Sequence, residues 1–172
     1  MRNVAHTDKL GRVAEDLAII QLGTRFDDCI VSKVENNQLH DIEIRKKGEP
    51  LTENICKIQV KSTASKRVIG DYQNYLVTMH HGAGGGKKAG YDQEGVNFFF
   101  FYVFPEGKFY IIPADVLKGK LGAALFVGLP TPKRKKNTAI YEKYLEAWWL
   151  IGDFLGVPTS DDKRETQTVL SS

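Results

Sequence analysis

Three residues whose side chains suit one reaction lie on two predicted strands. Gln59 follows Asp41 by eighteen residues, and Lys61 lies two positions beyond Gln59. Both stretches alternate apolar and polar residues as half-buried strands do. If the strands pair, a carboxylate, a carboxamide and an ammonium share one sheet face. Such a cluster is unfavourable unless a metal, a phosphate or water compensates the desolvation, and it indicates metal-assisted phosphodiester chemistry.

Oxygen atoms of the type that Mg2+ prefers are available around this cluster. Asp41 offers a carboxylate, Gln59 a neutral carbonyl oxygen where a carboxylate would normally lie, and Val60 a backbone carbonyl. Glu15, at the border of the apolar face of a predicted helix, would restore the missing negative charge. The ammonium of Lys61 would orient or activate a metal-bound water, or offset charge on the phosphorane.

Simpler interpretations exist for each residue. Taken singly, any of them fits a solvated strand face. Glu43 shares the face of Asp41, so it is either a substitute acidic ligand or a surface strand residue, and the second is favoured. His80 and His81 have no acidic or cysteine partner at metal-ligand spacing, which favours loop or strand-end positions over a ligand role.

The elements that must position these residues follow from periodicity and from turn residues. A helix is predicted over residues 8–22, ending at Gly23. A glycine-rich, mobile loop is predicted over 81–90, and its pattern does not match a P-loop. A Phe-rich strand covered on both faces is predicted over 96–104. The other predicted elements are strands at 28–34, 39–45, 55–61, 74–80 and 108–112, a short helix at 114–117 and a final helix at 138–155.

Length and composition predict one soluble domain. The chain has 172 residues, of which 42% are hydrophobic and 26% charged, so one core is expected, over residues 1–157, with a disordered tail over 158–172. No apolar run reaches membrane-spanning length. Cys29 and Cys56 match neither a disulfide framework nor a zinc site, so free buried thiols and a cytoplasmic location are expected.

The basic residues are clustered although the formal net charge is only +3. Either the clusters are solvated loops and strand faces, or they contact the phosphates of a nucleic acid. The candidate DNA-contacting residues are Lys57, Ser62, Thr63, Lys66, Arg67, Lys87, Lys88, Lys133, Arg134, Lys135 and Lys136.

The order of these motifs resembles the PD-(D/E)XK nuclease superfamily over about residues 8–117. The resemblance rests on a helix with Glu15, a strand with Asp41, a strand with Gln59-Val60-Lys61, an aromatic strand and the segment Phe109–Pro113. It implies an α/β, restriction-endonuclease-like αβββαβ core with a mixed central sheet flanked by helices. It also implies a metal site built from Glu15, Asp41, Gln59 and Lys61, with His40 in the place of a variable proline.

Gln59 stands where the superfamily has an acidic residue. This QxK variant is similar to that of intron-encoded homing nucleases and of enzymes like Holliday-junction resolvases. The resemblance implies a DNA endonuclease that uses Mg2+, with Mn2+ able to substitute, and that forms a homodimer or homotetramer, for which the helix with Trp148 is a candidate contact. The alternatives are a nuclease-fold module that binds DNA without cleaving it, and a structural or protein-interaction domain.

Overall fold

A computed structural model describes residues 4–34, 39–50, 54–69, 72–83, 87–90, 95–127 and 140–159. Helix α1 spans Val4–Arg25 and helix α2 spans Trp149–Leu155. Short 3-10 helices lie at Phe104–Glu106, Ala114–Leu117 and Glu142–Tyr144. The strands are β1 Cys29–Lys33, β2 Ile42–Lys46, β3 Cys56–Thr63, β4 Lys66–Ile69, β5 Tyr72–Thr78, β6 His80–Ala83, β7 Lys87–Gly90, β8 Phe98–Val103, β9 Lys108–Pro113 and β10 Gly122–Leu125.

The main sheet is mixed and has the order β1-β2-β3-β8-β9. Only the β3–β8 pair is parallel within it, and the other three neighbouring pairs are antiparallel. A smaller antiparallel sheet has the order β10-β5-β4, and β6 pairs with β7. The expected α/β class with a mixed central sheet is therefore confirmed. In the described residues, strands β4 to β7 make the connection from β3 to β8, where the αβββαβ pattern has a helix.

The main sheet is covered on both faces. One core lies between the sheet and both α-helices, and its buried residues include Ala14, Ala18, Leu22, Ile42, Ile58, Phe100, Trp148 and Ile151. The other core lies toward the smaller sheet and includes Tyr75, Val77, Phe99, Phe101, Tyr110, Ile112 and Leu117. Because side chains alternate along a strand, β8 contributes to both cores, as its unbroken run of apolar residues predicted.

Several elements differ from the sequence predictions. Helix α1 continues past Gly23, and the strand predicted over 39–45 begins at Ile42. The segment predicted as a mobile loop over 81–90 contains β7 and all of β6 except His80, and these strands pair antiparallel, with 84–86 outside the described residues. Strands β4 and β10, of four residues each, were not predicted. Backbone pairing stabilises such short strands without an alternating apolar pattern to reveal them.

The final helix predicted over 138–155 is interrupted. Residues 138 and 139 lie outside the described residues, and Leu145 pairs with Tyr110 in an isolated bridge before α2 begins. Glu146 has a left-handed backbone with φ of 51°. Its carboxylate accepts hydrogen bonds from the Phe109 N–H at 2.6 Å and from Trp148 Nε1 at 2.9 Å. These bonds, of which the one from Phe109 joins distant parts of the chain, compensate for a conformation that is unfavourable outside glycine.

Two further predictions concern the cysteines and the C-terminal segment. Cys29 and Cys56 are buried and free, as predicted. Thr159 is 4% exposed, so packing against the domain extends to this residue. The rest of the predicted tail, residues 160–172, lies outside the described residues. No helix in the described part of the chain combines the length and the hydrophobicity that a membrane span needs.

Candidate active site

Asp41 lies just before β2, between the two strands that flank it. Its backbone N–H donates to the Ile58 carbonyl at 2.9 Å, and its carbonyl accepts from the Val34 N–H at 2.9 Å. The antiparallel register pairs Ile42 with Ile58, so the next position along aligns Asp41 with Gln59. The two polar rows predicted from alternation therefore lie side by side.

The Asp41 carboxylate reaches across to β3. Its Oδ2 atom accepts a hydrogen bond from the Val60 N–H at 2.7 Å and another from Nε2 of Gln59. The same Gln59 nitrogen also donates to the Val60 carbonyl oxygen at 3.3 Å. Gln59 is only 4% exposed, and its amide nitrogen lies between a carboxylate oxygen and a backbone carbonyl oxygen.

The electrostatic neighbours of Asp41 include the other predicted site residues. Burial raises the pKa of the Asp41 carboxyl, and the hydrogen bond from Val60 and the charge of Lys61 oppose that rise. The charge of Glu15 raises the same pKa further, while His40 lowers it. Lys61 is half-buried on β3, two residues beyond Gln59. Helix α1 and strand β3 thus bring Glu15 and Lys61 into the electrostatic environment of one carboxylate.

Glu15 has a partner that the sequence did not reveal. Lys33, at the end of β1, places its ammonium 3.1 Å from Glu15 Oε2 and 2.9 Å from Asp16 Oδ1. The hydrogen bond to Asp16 raises the pKa of Lys33, and the bond to Glu15 acts in the same direction. No sequence signal identified this lysine, because the contact joins a helix to a strand edge across a turn.

Glu43 contacts His40. Nε2 of His40 lies 2.9 Å from Oε1 of Glu43, and the His40 side chain is 5% exposed. The register pairs Glu43 with Lys57 on β3, two positions before Gln59. This favours the surface-strand interpretation of Glu43 over the metal-ligand one. The sequence identifies His40 only as the residue in a variable position, although it directly precedes Asp41.

The candidate DNA-contacting residues fall into three groups. Lys57, Ser62 and Thr63 are half-buried on β3, and Lys66 and Arg67 are exposed on β4. Lys87 and Lys88 lie on β7, but their side chains are outside the description. Lys133, Arg134, Lys135 and Lys136 lie outside the described residues. The first group therefore lies on β3, which carries Gln59 and Lys61, and on β4, the next strand along the chain.

The oxygen atoms around Asp41 are of the kind that a divalent cation prefers. Within the described ranges, no group of three or more His, Cys, Asp or Glu residues could hold a metal. The candidate ligands are the carboxylates of Asp41 and Glu15, the carboxamide of Gln59 and the backbone carbonyl of Val60. Only the two carboxylates belong to these four residue types. The Asp41 carboxylate and the Val60 carbonyl both accept a hydrogen bond from one atom, Nε2 of Gln59, so the two oxygen atoms converge. Hard oxygen atoms that converge in this way suit Mg2+ or Mn2+.

Two comparisons with known proteins found matches. A family model described as PD-(D/E)XK endonuclease matches residues 6–151. The solved structure of a bacterial homing endonuclease, I-Ssp6803I, matches with a TM-score of 0.64 and 24% sequence identity, covering 84% of this chain and 92% of the other. At that identity the likeness concerns the fold. No curated protein sequence matches the chain.

Proposed function

Because the chain belongs to the PD-(D/E)XK endonuclease family, we propose that it is a Mg2+-dependent endonuclease that hydrolyses DNA phosphodiester bonds. The observation that carries the proposal is the convergence of Asp41 Oδ2 and the Val60 carbonyl on one atom of Gln59. The charges of Glu15 and Lys61 act on the same carboxylate. Burying a carboxylate beside these groups contributes little to the stability of the fold, which favours a functional role.

The proposed ligands of the cation are Asp41, the Gln59 carboxamide, the Val60 carbonyl and Glu15, and Mn2+ is expected to substitute for Mg2+. When bound, the metal supplies a water of lowered pKa and polarises the phosphoryl group. The Val60 N–H, at 2.7 Å from Asp41 Oδ2, holds the Asp41 carboxylate in a fixed orientation. Preorganisation of this kind avoids reorganisation of the site during the reaction.

Lys61 is the proposed cationic residue of the reaction. Its charge acts to lower the pKa of Asp41, which supports electrostatic coupling between the two side chains. In the proposal its ammonium orients the attacking water or offsets the charge that develops on the phosphorane. A fixed positive charge in a half-buried position is effective because solvent screens it less than at the surface.

DNA binding is assigned to the basic and hydroxyl side chains that follow the site. Lys57, Ser62 and Thr63 on β3 and the exposed Lys66 and Arg67 on β4 would contact phosphates, as would Lys87, Lys88 and the run Lys133 to Lys136. Phosphate contacts of this kind supply affinity without sequence specificity. Cleavage of both strands needs two such sites, so we propose a homodimer or homotetramer. The free thiols of Cys29 and Cys56 suit the reducing cytoplasm.

Cleavage assays with matched variants test the proposal. Purified protein is incubated with plasmid and with branched DNA, with Mg2+ and with EDTA. We expect Mg2+-dependent cleavage that falls at least about a hundredfold in Lys61→Ala and in Asp41→Ala. Lys118→Ala and Asp153→Asn alter exposed residues elsewhere in the fold and serve as controls. If the two site variants cleave as fast as the controls, the proposed site is wrong.

A second candidate function is a nuclease-fold module that binds DNA but cleaves it weakly or not at all. The specific observation in its favour is that Gln59 is neutral and hydrogen-bonded to the Asp41 carboxylate. This candidate predicts salt-sensitive DNA retention without turnover. Gln59→Glu distinguishes the two, because a gain of cleavage in that variant would reveal an intact site around a weakened metal ligand.

A further inference from the structure

The Gln59 carboxamide has its nitrogen where a metal ligand requires an oxygen. Nε2 of Gln59 donates to Asp41 Oδ2 and lies 3.3 Å from the Val60 carbonyl oxygen. A carboxamide nitrogen is a hydrogen-bond donor and has no lone pair available for a cation. In this structure the amide hydrogens of Gln59 therefore bond the two oxygen atoms that a cation would otherwise contact.

The opposite orientation is unfavourable without a cation. A half-turn of the carboxamide would place Oε1 of Gln59 against the Asp41 carboxylate and the Val60 carbonyl, with no hydrogen atom between them. The Asp41 carboxylate and the Val60 carbonyl would lose their hydrogen bonds from Gln59. Because Gln59 is only 4% exposed, water would not replace them. A divalent cation between these oxygen atoms reverses this preference, because it requires oxygen ligands.

The change of orientation conserves the volume of the side chain. The amide nitrogen and oxygen of glutamine are nearly equal in size, and the terminal torsion of the side chain has a broad, roughly two-fold profile. A half-turn about the last bond therefore exchanges donor and acceptor within nearly the same volume.

We propose that Gln59 is a two-orientation ligand, whose amide nitrogen bonds the Asp41 carboxylate and the Val60 carbonyl when no cation is bound and whose carboxamide turns by half a turn when a divalent cation binds between these oxygen atoms. The inference rests on the proposed function, in that it requires a divalent cation at this site. It assigns glutamine a role that a carboxylate lacks, since glutamate presents oxygen atoms in both orientations and leaves the metal-free site with facing negative charges.

Nuclear magnetic resonance of the side-chain amide groups tests the inference without DNA or turnover. The metal-free, 15N-labelled protein is titrated with Mg2+, and the Gln59 amide signals are identified by their loss in Gln59→Met. We expect signals that exchange slowly with water in the metal-free protein and that shift and lose protection at saturating Mg2+. The Gln21 amide group, whose oxygen accepts from Arg25, is the internal control and should not respond.

The titration separates three results. A response of the Gln59 amide group together with the Val60 N–H supports the inference. A response of the Val60 N–H with unchanged Gln59 signals overturns it and leaves a metal site in place. If neither Mg2+ nor Mn2+ affects any residue of the site, both the inference and the proposed metal dependence are wrong.

Calorimetry on Gln59→Glu adds a second measurement. We expect this variant to bind Mg2+ about tenfold more tightly than the wild type, because it gains a charged ligand and loses the competing donor. The metal-free variant should unfold at a lower temperature than the metal-free wild type. Mg2+ should then raise its midpoint by more than it raises that of the wild type. Equal affinities and equal metal-free midpoints would contradict the proposed role of the nitrogen.

Discussion

The backbone N–H of Val60 donates to Asp41 Oδ2 at 2.7 Å. The strand that presents Gln59 and Lys61 therefore also orients the carboxylate that precedes β2. This hydrogen bond joins residues nineteen positions apart and fixes the relative position of two strands at the candidate active site. A small shift of β3 along β2 would separate the groups that must act together, so the antiparallel register is part of the site.

Asp41→Asn should separate stability from activity. Burial raises the pKa of Asp41, which means that the folded protein disfavours the charged form that the reaction needs. Asparagine removes this charge and still offers an oxygen to the Val60 N–H. We expect cleavage to fall by at least about a hundredfold, while urea unfolding of the metal-free protein at pH 7 gives an unchanged or higher free energy of unfolding. A marked loss of stability would contradict this interpretation.

Lys33→Met should strengthen metal binding. The Lys33 ammonium lies 3.1 Å from Glu15 Oε2 and competes with a cation for that carboxylate. An exposed ion pair of this kind contributes up to about 1 kcal/mol, so its loss should raise Mg2+ affinity by up to about fivefold in calorimetry. Lys118→Met, at an exposed position after Leu117, is the matched control. Weaker Mg2+ binding in Lys33→Met would show that Glu15 is not a ligand.

Glu43→Gln should leave most of the activity intact. Glu43 lies 2.9 Å from His40 rather than among the proposed ligands, and glutamine keeps a hydrogen-bonding group there. We expect a cleavage rate within about tenfold of the wild type, as for residues that only orient ligands, and unchanged Mg2+ affinity. Glu15→Gln, measured beside it, should reduce Mg2+ affinity. If Glu43→Gln reduces Mg2+ affinity and Glu15→Gln does not, Glu43 is the acidic ligand.

Titration of Tyr75 should lower the free energy of unfolding at high pH. Burial, with the 2.6 Å hydrogen bond to Glu106, raises the pKa of Tyr75 to about 12, whereas an unfolded tyrosine has a pKa of about 10. Between these values the folded protein retains a proton that the unfolded chain loses. The free energy of unfolding should therefore decrease as pH rises from about 10 through about 12.

The Tyr75→Phe variant isolates this effect from the other tyrosines. It should be about 1 kcal/mol less stable at pH 8, because the bond to Glu106 is lost, and it should lose less stability than the wild type above pH 10. Urea unfolding at pH 8, 10 and 11 measures both differences. If the free energy of unfolding falls equally with pH in the two proteins, the pKa of Tyr75 is not raised in the folded state.

The β4 cations should determine part of the salt dependence of DNA binding. Lys66 and Arg67 are exposed on β4, next along the chain from β3. If each contacts a phosphate, Lys66→Ala with Arg67→Ala should lower the slope of log affinity against log salt by about two. The measurement is fluorescence anisotropy with duplex DNA in EDTA. The exposed pair Lys108 and Lys118, changed to alanine, is the control, and an equal slope change there would argue against a β4 contact.

Most of the main sheet could be predicted from the sequence, because alternation of side chains and turn residues are local properties. The strands with Ile42, Ile58 and Phe100 and the helix with Glu15 were predicted from such patterns. Elements without a local pattern were missed. Strands β4 and β10 are too short to show alternation, and the helix break at Glu146 depends on hydrogen bonds to Phe109 and Trp148.

The sequence by itself determined which chemical groups are available: one carboxylate before β2, an uncharged amide in place of an acidic residue, and a lysine two positions later. The tertiary structure decided how these groups are used. It directs the Gln59 nitrogen toward Asp41 and Val60, pairs Glu15 with Lys33, and pairs Glu43 with His40. Residue types are encoded locally, whereas the orientation of a side chain depends on partners from other elements, which meet only when the chain has folded.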